Sequence, residues 1–333
     1  MDKNEKQSCA IKTSVGGQAL LEGIMMKGPY KSAMAVRKPN GEIDLSTWET
    51  KQLTGIRKVP FVRGTFNFID TLIKGYECLM KSAEISGQEE EPDKFELWLN
   101  KTFGKAAGSV FSFLITLVAG VLAIGLFFGV PALITNLVSE YITNKVALSA
   151  IEGIIKIGLF LVYIIGVSNM KDIRRTFMYH GAEHKTIFAF EHGKELTVAN
   201  IREEKRFHPR CGTSFIFVTI ILSILISSIV SIAFPQLTAS RPIWIATKVL
   251  MLPAIMGIGF EFIQLAGKYP NRFTKLLSAP GLLMQRITTV EPTDDIIEVA
   301  IEAMKAALTG EVPVKEEIAE ENGEEEETST PEE

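Results

Sequence analysis

The chain has 333 residues, of which 47% are hydrophobic and 22% are charged, and its formal net charge at pH 7 is −4. Because its apolar and charged residues fall in separate long stretches, this composition excludes a uniform water-soluble domain. The last 18 residues hold ten glutamates, and removing these ten charges changes the formal net charge from −4 to +6. The remainder is therefore a basic chain with an acidic tail, and it carries no motif typical of a nucleic-acid-binding protein.

Residues 1–93 are predicted to form a small α+β domain on the cytoplasmic side of a membrane. The stretch from Tyr30 to Trp48 predicts two short strands, since Asn40 and Gly41 readily supply the positive φ angles of a tight hairpin turn. From Phe61 onward, apolar residues recur every three or four positions and predict an amphipathic helix: Val62, Phe66, Ile69, Ile73, Tyr76 and Met80. This stripe fits either packing on the domain or a position at the membrane surface. Packing is favoured, since apolar stripes mostly bury against protein.

The stretch from Val15 to Pro29 is rich in glycine among apolar residues, which favours close backbone packing or a tight bend. It lacks the spacing of a phosphate-binding loop. Gln18 and Glu22 lie four residues apart within it, and a structural role is predicted for both.

Four apolar segments are each long enough to cross a hydrocarbon layer of about 30 Å as helices. The first lies in the stretch 106–139, which has no charged residue, and Pro131 predicts a kink in its helix. The others are predicted at about 146–170, 214–234 and 243–266. The predicted fold class is therefore an α-helical membrane protein with about four transmembrane helices and a small α+β cytoplasmic N-terminal domain.

These spans divide the chain into six predicted segments. The N-terminal domain (1–93) is followed by an interfacial helix and two spans (94–170), a cytoplasmic histidine loop (171–213), two further spans (214–267), a cytoplasmic C-terminal segment with a helix (268–312) and a disordered acidic tail (313–333). The C-terminal helix is predicted from Asp294 to Leu308, because acidic residues begin it and Gly310 lies past its end.

Basic residues set the predicted orientation. The connection from Lys171 to Gly212 carries nine lysines and arginines, whereas the connections near residues 140 and 240 offer little beyond Lys145 and Arg241. By the positive-inside rule, the histidine loop and both termini lie in the cytoplasm, in a multi-pass protein of the cell membrane. The polar N-terminus lacks the apolar core of a cleaved signal peptide, and three cysteines in a reducing compartment do not predict a disulfide framework.

Ionisable residues interrupt two of the spans. Glu152 and Lys156 lie four residues apart on one helix face, and they are predicted to neutralise each other near the membrane edge. Glu261 lies near the cytoplasmic end of the fourth span, within reach of the histidine loop.

All four histidines of the chain fall in the histidine loop: His180, His184, His192 and His208. If residues 179–190 are helical, His180 and His184 project from one face, with Glu183 beside them. This H-x-x-E-H pattern reverses the H-E-x-x-H helix of zinc peptidases, in which two histidines hold the metal and the glutamate activates water. His180 and His184 are therefore candidate ligands of a divalent transition metal, with zinc the expected ion, and Glu183 is the candidate catalytic base. His192, which Gly193 follows, is interpreted as the exposed end of that helix.

A catalytic zinc site needs a third protein ligand and leaves one position for water. Three residues remain open for this role: Glu261, and His208 and Cys211 in the motif HPRCG before the third span. In the alternative interpretation, His180 and His184 form hydrogen bonds in a juxtamembrane helix and hold no metal.

Four blocks, in order along the chain, resemble the signature blocks of the YqhQ-like family of bacterial membrane proteins. They are VGGQALLEGIMMKGP (Val15–Pro29), HGAEHKTIFAFEHG (His180–Gly193), HPRCGTSF (His208–Phe215) and TTVEP (Thr288–Pro292). The resemblance implies the same membrane architecture, and members of that family are often labelled as predicted metal-dependent enzymes. The similarity to the inverted zinc peptidases, which are large soluble proteins, is confined to His180, Glu183 and His184.

Two functional hypotheses follow. The first is a metal-dependent membrane enzyme, a hydrolase that acts at the cytoplasmic surface of the lipid bilayer on an amphiphilic substrate. The second is a non-catalytic membrane adaptor or scaffold, in which the histidine loop is structural and the cytoplasmic parts recruit protein partners. Neither involves nucleic acid, and the oligomeric state is left open.

Overall fold

The computed structural model describes residues 15–88 and 114–308, apart from 53, 116, 124, 239 and 269–271. The predicted interfacial helix at 94–105 and the predicted acidic tail lie outside these residues. The described part is mostly helical, with a small antiparallel sheet near its N-terminal end.

The sheet has four antiparallel strands in the order of the sequence: β1 (Gly16–Leu20), β2 (Gly23–Lys27), β3 (Lys31–Arg37) and β4 (Ile43–Glu49). Strands β3 and β4 confirm the predicted hairpin, and Gly41 in its turn has a φ angle of +90°. Strands β1 and β2 come from the glycine-rich stretch for which no strands were predicted. A two-residue loop connects them, and its second residue, Glu22, has a φ angle of +50°.

The helices of the described part are α1 (Val62–Ile85), α2 (Leu117–Val138), α3 (Lys145–Ser168), α4 (Lys171–Glu191), α5 (Val198–Arg202), α6 (Gly212–Ala233), α7 (Arg241–Lys268), α8 (Arg272–Thr288) and α9 (Asp294–Leu308). Helix α4 confirms the helix predicted for the histidine loop. Helix α9 confirms the predicted C-terminal helix.

Four of these helices are long and apolar enough to cross a membrane, judged by length and composition: α2, α3, α6 and α7, called the four apolar helices below. Their apolar parts have mean hydropathies of 2.5, 2.1, 2.7 and 1.8. They coincide with the four predicted spans, and α6 packs against α3, α7 and α8. At the predicted kink, α2 has a π-helical turn, Gly125–Gly129, which ends two residues before Pro131. Proline lacks the N–H that would continue the α-helical hydrogen bonds, so the wider turn lies where those bonds are interrupted.

The sheet packs against α4 and α9 in one hydrophobic core, called the sheet core below. Fully buried side chains in it include Ile24 on β2, Tyr179 on α4 and Met304 on α9. Helix α9 begins with Asp294 and Asp295, whose carboxylates interact favourably with the positive end of the helix dipole. The sheet core therefore combines parts of the N-terminal segment, the histidine loop and the C-terminal segment.

Helix α1 forms as predicted, but its packing differs from the prediction. It buries small residues, namely Gly64, Gly75, Cys78 and Ser82, and Gly64 lies directly against Phe260 and Gly257 of α7. The apolar stripe points away from the protein, with Ile73 57% exposed and Tyr76 64% exposed. The favoured packing of this stripe against protein is therefore wrong for the described residues, because the small face of α1 allows the closest approach to its neighbours.

Candidate functional site

Helix α4 carries the first two histidines on one face. The rings of His180 and His184 lie with their centroids 4.4 Å apart, as their spacing of four residues requires. The helix ends at Glu191, followed by His192 and then by Gly193 with a φ angle of +67°. This confirms His192 as the end of the helix, and its ring contacts Glu204 at 3.0 Å.

Of the three residues left open by the sequence, Cys211 is the one that lies against this histidine pair. The ligand atoms of His180, His184 and Cys211 all lie within 4.8 Å of one another. Nε2 of His180 lies 3.2 Å from the Cys211 sulfur. We call these three residues the histidine cluster. Cys211 is buried and immediately precedes α6, so the cluster lies where α4 meets the end of an apolar helix.

Backbone carbonyls fix the orientation of both imidazoles. Nδ1 of His180 lies 2.8 Å from the carbonyl oxygen of Thr288, and Nδ1 of His184 lies 2.5 Å from that of Arg206. A carbonyl oxygen only accepts hydrogen bonds, so each Nδ1 carries a hydrogen, and in a neutral imidazole Nε2 is then the nitrogen with the free lone pair. Metal-binding histidines are commonly oriented in this way by their second nitrogen.

Glu183 lies in the interior next to these histidines. Its carboxylate accepts a hydrogen bond from the backbone N–H of Gly17, and a Cβ at Gly17 would approach the carboxyl carbon to 2.9 Å. Burial raises the pKa of Glu183 above its ordinary value, although His180, His208 and the Gly17 N–H act in the opposite direction. The glycine of β1 therefore makes room for a desolvated carboxyl group beside the histidine cluster.

His208 lies near the histidine cluster but outside it. Its ring centroid is 5.6 Å from that of His184, and its Nδ1 accepts the Arg210 N–H at 3.3 Å. Nε2 therefore carries the hydrogen, and it faces Glu191 at 3.5 Å. Burial lowers the pKa of His208 to about 4, so this ring is neutral at pH 7 and its contact with Glu191 is not an ion pair.

Glu261 has a different partner from the one considered in the sequence analysis. Its carboxylate accepts two hydrogen bonds from the Arg63 guanidinium, at 2.7 and 2.6 Å, and one from the Phe61 N–H at 3.2 Å. The structure does not bring Glu261 into the histidine cluster. It joins α7 to the beginning of α1.

Gln285 on α8 organises the HPRCG segment, and the sequence analysis missed it. Its side-chain oxygen accepts the His208 N–H at 2.7 Å, and its side-chain nitrogen donates to the His208 carbonyl at 2.8 Å. The side chain is fully buried. A lone glutamine in an amphipathic helix gives no signal for such a contact, which joins residues 77 positions apart.

The glycine-rich stretch contacts the histidine helix at a second point. Glu22, in the loop between β1 and β2, pairs with Arg175 and accepts a hydrogen bond from the Tyr179 hydroxyl at 3.2 Å. Gln18 instead contacts the Gly75 carbonyl of α1 at 3.5 Å. Both residues therefore connect elements of the fold. Glu22 faces the helix that carries the histidines.

Two cavities of the described part lie away from the histidine cluster. One of about 210 Å³ lies among the apolar helices, and another of about 490 Å³ lies beside Arg37 and Arg175. His184 and Cys211 are only 2% and 7% exposed, and His180 is half-buried. His180 is therefore the most exposed of the three cluster residues.

Comparison with known proteins gives one matching family and one similar protein, both without a described function. The family described as "Protein of unknown function (DUF1385)" matches residues 59–310, which include the whole histidine cluster. A protein of Bacillus subtilis (strain 168), described as "Uncharacterized protein YqhQ", is 34% identical over 311 residues, covering 90% of this chain and 93% of that protein. No solved structure matches the chain.

Proposed function

This chain belongs to the DUF1385 family and is similar in sequence to YqhQ of Bacillus subtilis along most of its length, and we propose that it is a metal-dependent hydrolase of the cell membrane. In this proposal, His180, His184 and Cys211 hold a divalent transition metal, with zinc the expected ion. Glu183 is the catalytic base.

The convergence of three ligand atoms carries the proposal. Zinc holds nitrogen ligands at about 2.0–2.1 Å and sulfur at about 2.3 Å, so neighbouring ligand atoms in a tetrahedral site lie about 3.5 Å apart. The separation of 3.2 Å between His180 Nε2 and the Cys211 sulfur is close to this value. Two nitrogens and one sulfur suit zinc, and three protein ligands leave one position for a reactant.

Glu183 supplies the proton transfer in this proposal. Bound zinc would lower the pKa of a coordinated water molecule to about 7. Glu183 accepts the proton from the attacking water and returns it to the leaving group. A carboxyl group whose pKa is raised by burial is suited to this exchange, since proton transfer is most efficient when the catalytic pKa lies near the working pH.

The substrate class follows from the location of the cluster. Cys211 immediately precedes α6, so the cluster lies at one end of an apolar helix. By the positive-inside rule, the basic residues between Lys171 and Gly212 favour a cytoplasmic position for that end. A hydrolase at this surface would act on an amphiphilic molecule whose scissile group lies at the level of the lipid headgroups.

The enclosed surroundings of the cluster favour a second candidate function. The histidine cluster and its hydrogen bonds connect α4, the segment 206–211 and Thr288 at the end of α8. With or without metal, these contacts would stabilise the junction between α4, the segment 206–211 and α8. The protein would then be a non-catalytic membrane adaptor whose cytoplasmic parts recruit protein partners.

Metal content is the first test. The full chain is purified in detergent without chelator or histidine tag and analysed by elemental mass spectrometry, beside Cys211→Ser and His180→Ala/His184→Ala variants. We expect about one zinc per chain and its loss in both variants, whereas Glu261→Gln serves as the matched control and keeps the metal. Absence of metal from the unaltered chain after reconstitution with zinc would contradict the enzyme proposal.

Glu183→Gln separates the two candidate functions. If the chain is a hydrolase, this variant keeps its zinc and loses the activity, because the amide cannot accept the proton. The activity would be measured as rescue of a strain lacking the gene. Full rescue by a zinc-loaded Glu183→Gln protein would exclude Glu183 as the base and favour the adaptor.

A further inference from the structure

The cavity among three of the four apolar helices is distinct from the histidine cluster. Its volume is about 210 Å³, and its walls come from α3, α6 and α7 together with Phe68 of α1. One of its walls carries three charged side chains: Glu152, Lys156 and Lys248. The predicted pair of Glu152 and Lys156 is present at 2.8 Å, and the structure adds Lys248 from α7, which the sequence analysis did not consider.

Lys248 contacts both oxygens of the Glu152 carboxylate. Its Nζ lies 2.7 and 2.8 Å from the two oxygens of Glu152 and 5.3 Å from the centre of the Trp244 ring. The side chains of Glu152 and Lys248 are 15% and 20% exposed. Charges inside membrane helices are costly, and those that persist there usually mark a binding site or an ion path.

The charge balance of the wall favours a negatively charged ligand. One carboxylate and two ammonium groups are the ionisable groups that line the cavity. Two ammonium groups repel a cation, and they attract an anion more strongly in low-dielectric surroundings than in water. Hydroxyl groups of Ser149, Ser223 and Ser227 also line the cavity and supply further hydrogen-bond donors.

The remaining wall is apolar and elongated. Helix α6 contributes Phe215, Ile216, Ile220 and Ile224, and its lining residues continue to Ser227. From Ile216 onward these positions recur every three or four residues, and with Phe215 they lie along one face of the helix over about 18 Å. This face begins one helical turn after Cys211. An alkyl chain can lie along it while the headgroup of the same molecule contacts the lysines.

We propose that this cavity binds an amphiphile with a single anionic headgroup, a carboxylate or a phosphate. The headgroup contacts Lys248 and Lys156, and the chain lies against Ile220 and Ile224. The site does not depend on metal in the histidine cluster, so the inference stands apart from the proposed hydrolase.

Trp244 provides a local signal for the test. The variant Trp48→Phe/Trp98→Phe leaves Trp244 as the single tryptophan of the full chain. Its fluorescence is followed in a non-ionic maltoside detergent while dodecyl phosphate is added. Inorganic phosphate and dodecylphosphocholine are the control ligands, since the first lacks the chain and the second is zwitterionic. Competition by phosphatidylglycerol distinguishes a bilayer lipid from a soluble single-chain amphiphile.

We expect saturable binding of dodecyl phosphate. In this background, Lys248→Met should weaken binding at least tenfold, Lys248→Arg should retain it and Glu152→Gln should strengthen it by removing the competing carboxylate. The matched control is Lys74→Met, a lysine on α1 that is paired with Glu77 outside the cavity. If Lys248→Met does not give folded protein, Lys156→Met provides the same comparison.

Three results would each overturn the proposal. They are unchanged affinity in a folded Lys248→Met protein, equal binding of dodecylphosphocholine, and equal binding of inorganic phosphate. Repeating the titration after zinc removal keeps the outcome separate from that of the hydrolase proposal, because the lysines and the histidine cluster share no residue.

Discussion

The sheet core and the four apolar helices use apolar side chains in opposite ways. In the sheet core, Ile24, Tyr179 and Met304 are fully buried against protein. In α2 and α3, only 6% of the most apolar 18-residue window is buried inside the protein. The hydrophobic effect drives the burial of side chains in the sheet core, whereas a bilayer would cover the apolar surface of α2 and α3. The same substitution should therefore have different consequences in the two regions.

The buried polar side chains of the two regions also differ in their partners. Beside the sheet core, the buried histidines and Glu183 each have a backbone partner, which fixes them in place. Among the apolar helices, Glu152 and Lys248 pair with each other at a cavity. The first arrangement favours a rigid set of ligand atoms, and the second leaves room for a molecule to enter.

The largest expected effect tests the apolar contrast directly. Ile24→Ala should lower the free energy of unfolding by about 2–5 kcal/mol, since it removes a fully buried side chain and leaves a cavity. Leu122→Ala on α2, where the leucine is 68% exposed, should change it by about 0.5 kcal/mol or less. Denaturant titration of both variants in one detergent measures the difference, and equal losses would break the comparison.

A pair of glycines sharpens the comparison at the backbone level. At Gly181 on α4, a Cβ would overlap the carbonyl oxygen of Val290, whose own N–H is held by the Phe177 carbonyl at 2.9 Å. Gly181→Ala should therefore cost about 1–3 kcal/mol. Gly158 on α3 has open space around it, so Gly158→Ala should instead stabilise by about 0.5–1 kcal/mol through helix propensity. Unfolding of the two variants under one condition checks the opposite signs.

The smallest expected effect concerns the link between the sheet and the histidine helix. Glu22→Gln weakens the contacts with Arg175 and Tyr179 and should cost about 1 kcal/mol, because Arg175 is partly exposed. Glu42→Gln, at an exposed carboxylate in the β3–β4 turn, is the control and should be close to neutral. The free energies of unfolding of the two variants provide the measurement, and an equal loss would assign no specific role to Glu22.

Local patterns were enough to predict much of the fold. Uninterrupted apolar stretches predicted the four apolar helices, Asn40 and Gly41 predicted the hairpin, and the acidic start predicted α9. Strand β2 escaped prediction because it is buried along almost its whole length, so it lacks the alternation that identifies a strand with one solvated face. The stripe of α1 was misassigned because periodicity identifies an apolar face but not what covers it.

The candidate site was predictable only where its residues are near in sequence. The spacing of His180 and His184 places them on one face of a helix. Cys211 could not be separated from His208 or Glu261, because that choice depends on how α4, α6 and α8 pack. Lys248 joins Glu152 across 96 positions, and no local pattern encodes that contact.

The carbonyl of Thr288 that holds His180 has a consequence for the order of synthesis. The two residues are 108 positions apart, and α6 and α7 lie between them. A ribosome therefore produces the histidine helix long before the residue that orients its first imidazole. During all that time the nascent chain carries the His180 imidazole without the carbonyl that orients it, so the full set of contacts around the cluster is completed only after translation of α8.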